Sequence, residues 1–222
     1  VIEANSISTT RAFYDAVAGD YAELARDELS GKPLDRGILA AFAERVRCAG
    51  VGPVADLGCG PGHVTAYLHS LGVTDVFGVD LSSQMVAIAR RVYPELRFDE
   101  GSMASLDRPD GSLGGIVAWY SIIHTPPGVL SAVLAEFRRL LASGGQLLLA
   151  FQVGDEPLRI AEPFGHAVSL DFRRWSPDRI VGMLGRAGFK VNARLLREPD
   201  STERVPQAFL LADAVNPASS GS

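Results

Sequence analysis

The segment Asp56-Leu57-Gly58-Cys59-Gly60-Pro61-Gly62 is the part of this chain whose residue types and spacing speak most directly of chemistry. Glycines in such a loop permit a tight turn and let a ligand lie against bare backbone. Nicotinamide and flavin enzymes use loops of this kind too, so two details must decide. The dinucleotide pattern asks for a further glycine where this chain has His63, and a β-carbon there hinders the close approach of the helix. Asp56 also sets a carboxylate beside the loop, which repels a pyrophosphate and attracts the ammonium of an amino-acid ligand. The loop therefore suits a methionine moiety better than a phosphate. Asp80 can accept hydrogen bonds from both hydroxyls of a ribose. It can equally be an acidic charge at a helix start beside Ser82, worth a few tenths to about 1 kcal/mol.

These residues need elements to hold them. Two helical patterns come first, one carrying Phe13, Val17, Tyr21 and Leu24, the other Leu39, Phe42, Ala43 and Val46. Strict alternation follows. Short apolar strands are expected at 54–57, 76–79, 96–98, 116–119 and 146–151. Between them lie helical stripes of Val64, Tyr67, Leu68 and Leu71, then Met85, Ile88, Ala89 and Val92 behind the N-cap Ser82, then Leu130, Val133, Leu134, Phe137 and Leu141 after Pro126-Pro127. A last helix with Ile180, Met183, Leu184 and Ala187 starts at Ser176-Pro177 and closes at Gly188. Two strands at 190–196 and 207–212, joined by Glu198-Pro199-Asp200-Ser201, should pair antiparallel. The pattern predicts an α/β fold: a doubly wound, seven-stranded, mostly parallel, Rossmann-like sheet with an antiparallel last strand and an N-terminal helical cap. The expected division is a cap at 1–50, a main domain at 51–213 with a lid-like insertion at about 152–175, and a disordered tail at 214–222.

Composition narrows the partners. The chain has 222 residues, 47% of them apolar, with a formal net charge of -5. An acidic surface repels a phosphate backbone, and Arg90-Arg91, Arg138-Arg139 and Arg173-Arg174 are isolated pairs, so nucleic acid is not expected. No apolar run approaches the roughly 18 residues of a membrane span. The polar stretch 1–11 lacks the hydrophobic segment of a signal peptide. Cys48 and Cys59 fit neither a disulfide framework nor a zinc site, and no carboxylate–histidine cluster suggests a metal. A cytoplasmic monomer or homodimer acting on a small molecule is the expectation.

Val-Ala-Asp-Leu-Gly-Cys-Gly-Pro-Gly, then Gly-Val-Asp-Leu-Ser, then Glu-Gly-Ser-Met at 100–103, resemble the first three motifs of the class I S-adenosylmethionine-dependent methyltransferases. The resemblance runs over roughly 51–212. It implies that Asp56, Gly58, Gly60 and Gly62 line the methionine portion of S-adenosylmethionine and that Asp80 holds its ribose. Leu81 and Met85 would flank the adenine, with Ser102, Met103 and Ala104 at its edge. Many family members carry an Asp where Ser102 stands. Phe-Tyr-Asp-Ala-Val-Ala-Gly-Asp-Tyr, holding Tyr14 and Tyr21, is similar to the cap helix of small-molecule members, in which a tyrosine near Tyr21 closes over the cofactor. Tyr21 is thus both a cofactor contact and a catalytic candidate.

Methyl transfer from a sulfonium is an in-line displacement that needs a nucleophile about 3 Å from the methyl group, exclusion of water and, for some acceptors, removal of a proton. No metal is required. The Asn-Pro-Pro-aromatic motif of nucleobase and amide-nitrogen enzymes is missing from Trp119-Tyr120-Ser121-Ile122-Ile123-His124-Thr125-Pro126-Pro127. His124 is the first candidate base, since an imidazole titrates near neutral pH, and its alternative is a structural group packed near the cofactor. Trp119 is expected to cover the sulfonium, Tyr120 to stack on a substrate, and either can instead be core. The long connection at 152–175 suggests a lid. Within and beside it, Phe151, Phe164, His166, Asp171 and Arg173 join Tyr14 and Tyr120 as candidate substrate contacts, with His166 a second candidate base. An extra edge strand or a dimer contact is the plainer reading of that segment.

The stretches 120–127, 148–157 and 164–172 resemble a group of actinobacterial methyltransferases, some of which modify aromatic heterocycles. The reading is transfer of a methyl group to a small, aromatic or heterocyclic specialised metabolite, with S-adenosylhomocysteine as coproduct. A non-catalytic protein that binds the same cofactor and a nicotinamide-dependent oxidoreductase are the alternatives.

Overall fold

The structure, a computed structural model, describes residues 2–215, with side chains from residue 6 onward. Two helices, α1 (Ile2–Ala25) and α2 (Pro33–Ala49), precede an alternating core. That core runs β1 (Val54–Leu57), α3 (His63–Ser70), β2 (Val76–Asp80), α4 (Ser83–Val92), β3 (Arg97–Glu100), β4 (Leu113–Trp119), α5 (Pro127–Leu140) and β5 (Leu141–Gln152). Next come a hairpin of β6 (Leu158–Ala161) and β7 (Ser169–Phe172), then α6 (Pro177–Arg186), β8 (Phe189–Arg197) and β9 (Gln207–Ala214).

Seven strands form one sheet in the order β3-β2-β1-β4-β5-β9-β8. Neighbours from β3 to β5 are parallel, while β9 runs antiparallel to both β5 and β8. This is the expected Rossmann-like plan, with the antiparallel last strand slotted between β5 and the edge. Both faces are covered. Phe77, Leu147, Leu149 and Phe151 pack under α5 and α6, and Val54, Val117, Leu148 and Phe209 pack under α2 and α3. Strands buried on both faces read as continuous apolar runs, which is why β1 and β4 were legible. Strand order reverses between β1 and β4, so a crevice must open beyond their carboxyl ends.

Local chemistry sets the boundaries. Ser82 accepts the Met85 N–H at 3.1 Å and starts α4. Gly62, at φ 87, caps α3 where a β-carbon would meet the Phe98 ring 2.8 Å away. Several boundaries and faces differ from the sequence expectation. β5 starts at Leu141, which leaves the stripe of α5 for the sheet, and Gly144 and Gly145 lie inside the strand rather than at a helix end. β3 is 97–100, set by pairing with β2. Leu24 and Val92 face solvent, with Ala25 and Val86 buried instead. Ala214 is buried in β9 opposite Phe189 of β8, and the Val215 N–H donates to Gly188 O, so 214 and 215 belong to the folded domain rather than to a tail. The tail expected at 216–222 lies outside the described residues.

The connection at 152–175 is neither an irregular loop nor a strand added to the main sheet. It forms the separate β6–β7 hairpin, whose Leu170 packs on Phe13 and Val17 of α1. Among the described residues, no helix is long and apolar enough to cross a membrane.

Candidate active site

β1 ends in the glycine loop, where Gly58, Gly60 and Gly62 all have positive φ. A β-carbon at Gly58 would collide with the Ser121 side chain, so the chain cannot place a larger residue there. Asp80 ties this loop to the end of β2. Its Oδ2 accepts the Gly60 N–H at 2.8 Å and its Oδ1 the Ser82 N–H at 2.8 Å. Each carboxylate oxygen keeps a further lone pair. Burial raises the pKa of Asp80, and those backbone donors oppose the rise.

Asp56 sits below the same loop, fully buried. Thr65 Oγ1 donates to its Oδ2 at 2.6 Å, while Oδ1 is buried without a partner. Desolvation lifts its pKa to about 6, against the pull of Thr65 and His63. A buried carboxylate oxygen with nothing to accept is matched by a ligand ammonium.

Helix α1 forms the roof. Ser82 Oγ donates to Asp15 Oδ1 at 2.6 Å, and Arg11 Nε donates to Leu81 O at 3.0 Å, which fastens the helix over the start of α4. Tyr14 and Tyr21 turn edge-to-face beneath it, 5.7 Å between ring centres. Burial raises the pKa of both phenols. Tyr14 Oη lies 2.7 Å from His124 Nε2. Burial, then the Arg173 charge, lowers the His124 pKa to about 3, so the imidazole is neutral at physiological pH and a weak base.

The crevice has two lobes. They share Tyr14, Tyr21, Gly58, Gly60, Trp119 and Tyr120 as lining residues, so they adjoin. Asp80, Leu81, Ser102, Met103, Ala104 and His124 line the first lobe alone. Asp56 lines the second, with His63, Ile123, Gln152, Phe172 and Gln207. Trp119 packs on Phe209 at 5.3 Å, and Tyr120 holds a left-handed backbone at φ 53.

Other sequence candidates fall outside this lining. Gly62 turns the chain at the start of α3, and Met85 is buried on the inner face of α4. Phe151 points into the core, whereas Phe164 is 55% exposed near the hairpin tip. His166 pairs with Asp20 of α1 at 2.9 Å, which fastens the hairpin to the roof. Asp171 pairs with Arg159 across the hairpin, and the Arg173 N–H donates to Ile123 O. The second lobe gains residues that sequence reasoning missed. Gln152 and Gln207 were signalled only as polar ends of apolar strands. Glu28, Lys32 and Glu203 carried no signal, since remote loops bring them in. His63, read only as a missing glycine, stands 3.1 Å from Glu28. Lys32 pairs with Glu203 at 2.8 Å, and Arg197 bridges Glu203 and Asp35 at 2.7 Å each. Despite burial, Arg197 and Lys32 hold Glu203 at about 2.

Residues 54–145 match the methyltransferase-domain family. A demethylmenaquinone methyltransferase of Chlorobaculum parvum is 27% identical over 212 residues, 94% of this chain and 83% of that protein. Magnesium protoporphyrin IX methyltransferase from Synechocystis, solved with S-adenosylmethionine bound, shares the fold at a TM-score of 0.67 and 18% identity, covering 94% of this chain and 96% of that one. The 1,6-didemethyltoxoflavin-N1-methyltransferase of Burkholderia thailandensis shares it at 0.62 and 19%, covering 92% and 90%.

Proposed function

This chain is an S-adenosylmethionine-dependent methyltransferase, and from that premise we propose that its acceptor is a small aromatic or heterocyclic molecule bound in the second lobe of the crevice. The observation that carries the reading is that the two lobes adjoin at shared lining residues, Tyr14, Tyr21, Gly58, Gly60, Trp119 and Tyr120. The cofactor's adenosine in the first lobe and its methionine end at Asp56 would leave the Trp119, Tyr120, Gln152 and Phe172 side of the second lobe to the acceptor, and the two ligands would meet there beneath α1.

In this reading Asp56 Oδ1 takes the ammonium of the cofactor and the bare peptides of Gly58 and Gly60 lie along its methionine chain. The spare lone pairs of Asp80 accept the ribose hydroxyls. Leu81, Met103 and Ala104 hold the adenine, with Ser102 Oγ at its edge. When bound, S-adenosylmethionine supplies a sulfonium methyl group for in-line displacement, the carbon–sulfur electrons staying on sulfur to give S-adenosylhomocysteine. Tyr14, Trp119, Tyr120 and Phe172 provide aromatic walls for the acceptor. Tyr21 lies at the junction of the lobes and helps orient the two ligands.

The depressed His124 favours acceptors that need no strong base, such as an aromatic carbon or a neutral ring nitrogen, whose proton leaves to solvent after attack. Its role is to hold Tyr14. His166 and Asp171 act in this reading through the hairpin, by keeping Phe172 against the lobe. The likeness of 120–127 to actinobacterial enzymes supports a specialised metabolite as acceptor, and free Cys48 and Cys59 support a cytoplasmic setting.

Calorimetry with S-adenosylhomocysteine, followed by methyl transfer to a panel of aromatic and heterocyclic metabolites, tests this. We expect micromolar-range binding and turnover of at least one class. Tight cofactor binding with turnover only of aliphatic acids or amines would overturn the acceptor assignment.

A further inference from the structure

The second lobe contains polar atoms that nothing among the described residues satisfies. Gln152 ends β5 and Gln207 begins β9, and the antiparallel ladder sets the two directly opposite. Opposed residues share a face of the sheet, and both line the lobe. Gln207 is anchored, since its Nε2 donates to Val205 O at 2.6 Å. Gln152 is not, for its Oε1 is buried with no partner. Tyr120 Oη and Trp119 Nε1 in the same lobe are also buried and unpartnered. Leaving a buried polar group without a partner is unfavourable, and a non-glycine residue held at left-handed φ, as Tyr120 is, adds strain. Leucine or phenylalanine would remove the orphaned atoms at any of the three positions, so their concentration in one lobe points to a ligand that pairs with them.

The types of these groups select the ligand. Trp119 Nε1 can only donate, Tyr120 Oη can donate, and Gln152 Oε1 can only accept. The complement carries a carbonyl beside a donor N–H. A primary amide offers its acceptor and donor side by side and reads such an edge bidentately, as glutamine does on a nucleobase. The aromatic walls Tyr14 and Phe172 require a flat body.

The side chains of the lobe offer little to an anion. Of its basic side chains, Lys32 is paired with Glu203 and Asp200, and His63 faces Glu28. Among the described side chains that line the lobe, a phenolate, quinolate or carboxylate would find no unpaired basic partner.

We propose that the acceptor is a neutral planar heterocycle with a lactam or imide edge, whose ring N–H donates to Gln152 Oε1 and whose carbonyl accepts from Tyr120 Oη. This rests on the second lobe being the acceptor site. The test titrates the protein, saturated with S-adenosylhomocysteine, with lumazine (pteridine-2,4-dione), with 1,3-dimethyllumazine, which lacks the ring N–H donors, and with 1,4-dihydroxynaphthalene. Lumazine should bind at least tenfold more tightly than its dimethyl analogue, and Gln152→Leu should erase that preference while leaving S-adenosylhomocysteine affinity unchanged. Equal binding of the two lumazines by the wild-type protein, or preference for the naphthalenediol, would overturn the proposal and leave the methyltransferase reading standing. Failure of the wild-type chain to bind S-adenosylhomocysteine would bring down both.

Discussion

Replacing Asp80 by alanine should weaken S-adenosylhomocysteine binding by at least about 100-fold. A carboxylate has about four lone-pair sites, and the Gly60 and Ser82 N–H groups take two of them at 2.8 Å each. Two remain for the ribose hydroxyls. Hydrogen bonds to a charged acceptor contribute about 1.5–3 kcal/mol each, so losing both costs about 3 kcal/mol at the low end, or about two decades in affinity. The substitution also frees the Gly60 N–H, which loosens the glycine loop, and calorimetry on the variant alone would mix the two effects. The 2′-deoxy analogue of S-adenosylhomocysteine separates them. It should bind the wild-type protein about tenfold or more weakly than the parent ligand, and it should bind Asp80→Ala no worse than the parent does. An equal penalty for the analogue on both proteins would show that Asp80 shapes the loop without touching the ribose, and wild-type affinity in the variant would refute the assignment outright.

Asp56 supplies a pH test. Its folded pKa is raised to about 6, so below that pH the free protein holds it protonated, and binding an ammonium must release the proton. Affinity for S-adenosylhomocysteine should fall as pH drops from 7 to 5, and Asp56→Asn should flatten that slope. An identical slope in the two proteins would remove Asp56 from ammonium recognition. In the ligand-free chain the same shift works the other way, since the charge is unfavourable when buried, and its contribution to stability declines as pH rises from about 4 through 6. Tyr14→Phe removes the 2.7 Å partner of buried His124 Nε2 and should lower stability by about 1–3 kcal/mol, read from the urea midpoint. An unchanged midpoint would mean that this hydrogen bond holds nothing in place.

Much of the fold was written in short-range pattern. Four consecutive buried residues in β1, seven in β4 and the helical stripes between them follow from which side chains must leave water. The glycine loop was legible for a similar reason, because positive φ at Gly58, Gly60 and Gly62 is a property of each residue and its immediate neighbours. Boundaries were less legible where tertiary pairing overrides propensity. Leu141 fits the stripe of α5, yet pairing with Leu113 draws it into β5.

The second lobe was hidden because its parts are far apart along the chain. Lys32 and Glu203 meet across 171 positions, and Asp20 and His166 across 146. Periodicity reports which face of an element is apolar, and it cannot report which loop another element will meet. His166 therefore looked like a base on residue type alone, until packing set it against Asp20 on the outer side of the roof. His124 lies in the lining as the motif spacing implied, but only the surrounding burial and Arg173 decide its protonation. The sequence by itself determined the α/β plan and the glycine loop that borders the crevice, since both are encoded in contiguous residues. Tertiary structure alone decided the character of the second lobe, because solvation and pairing of a side chain depend on neighbours brought in by the fold.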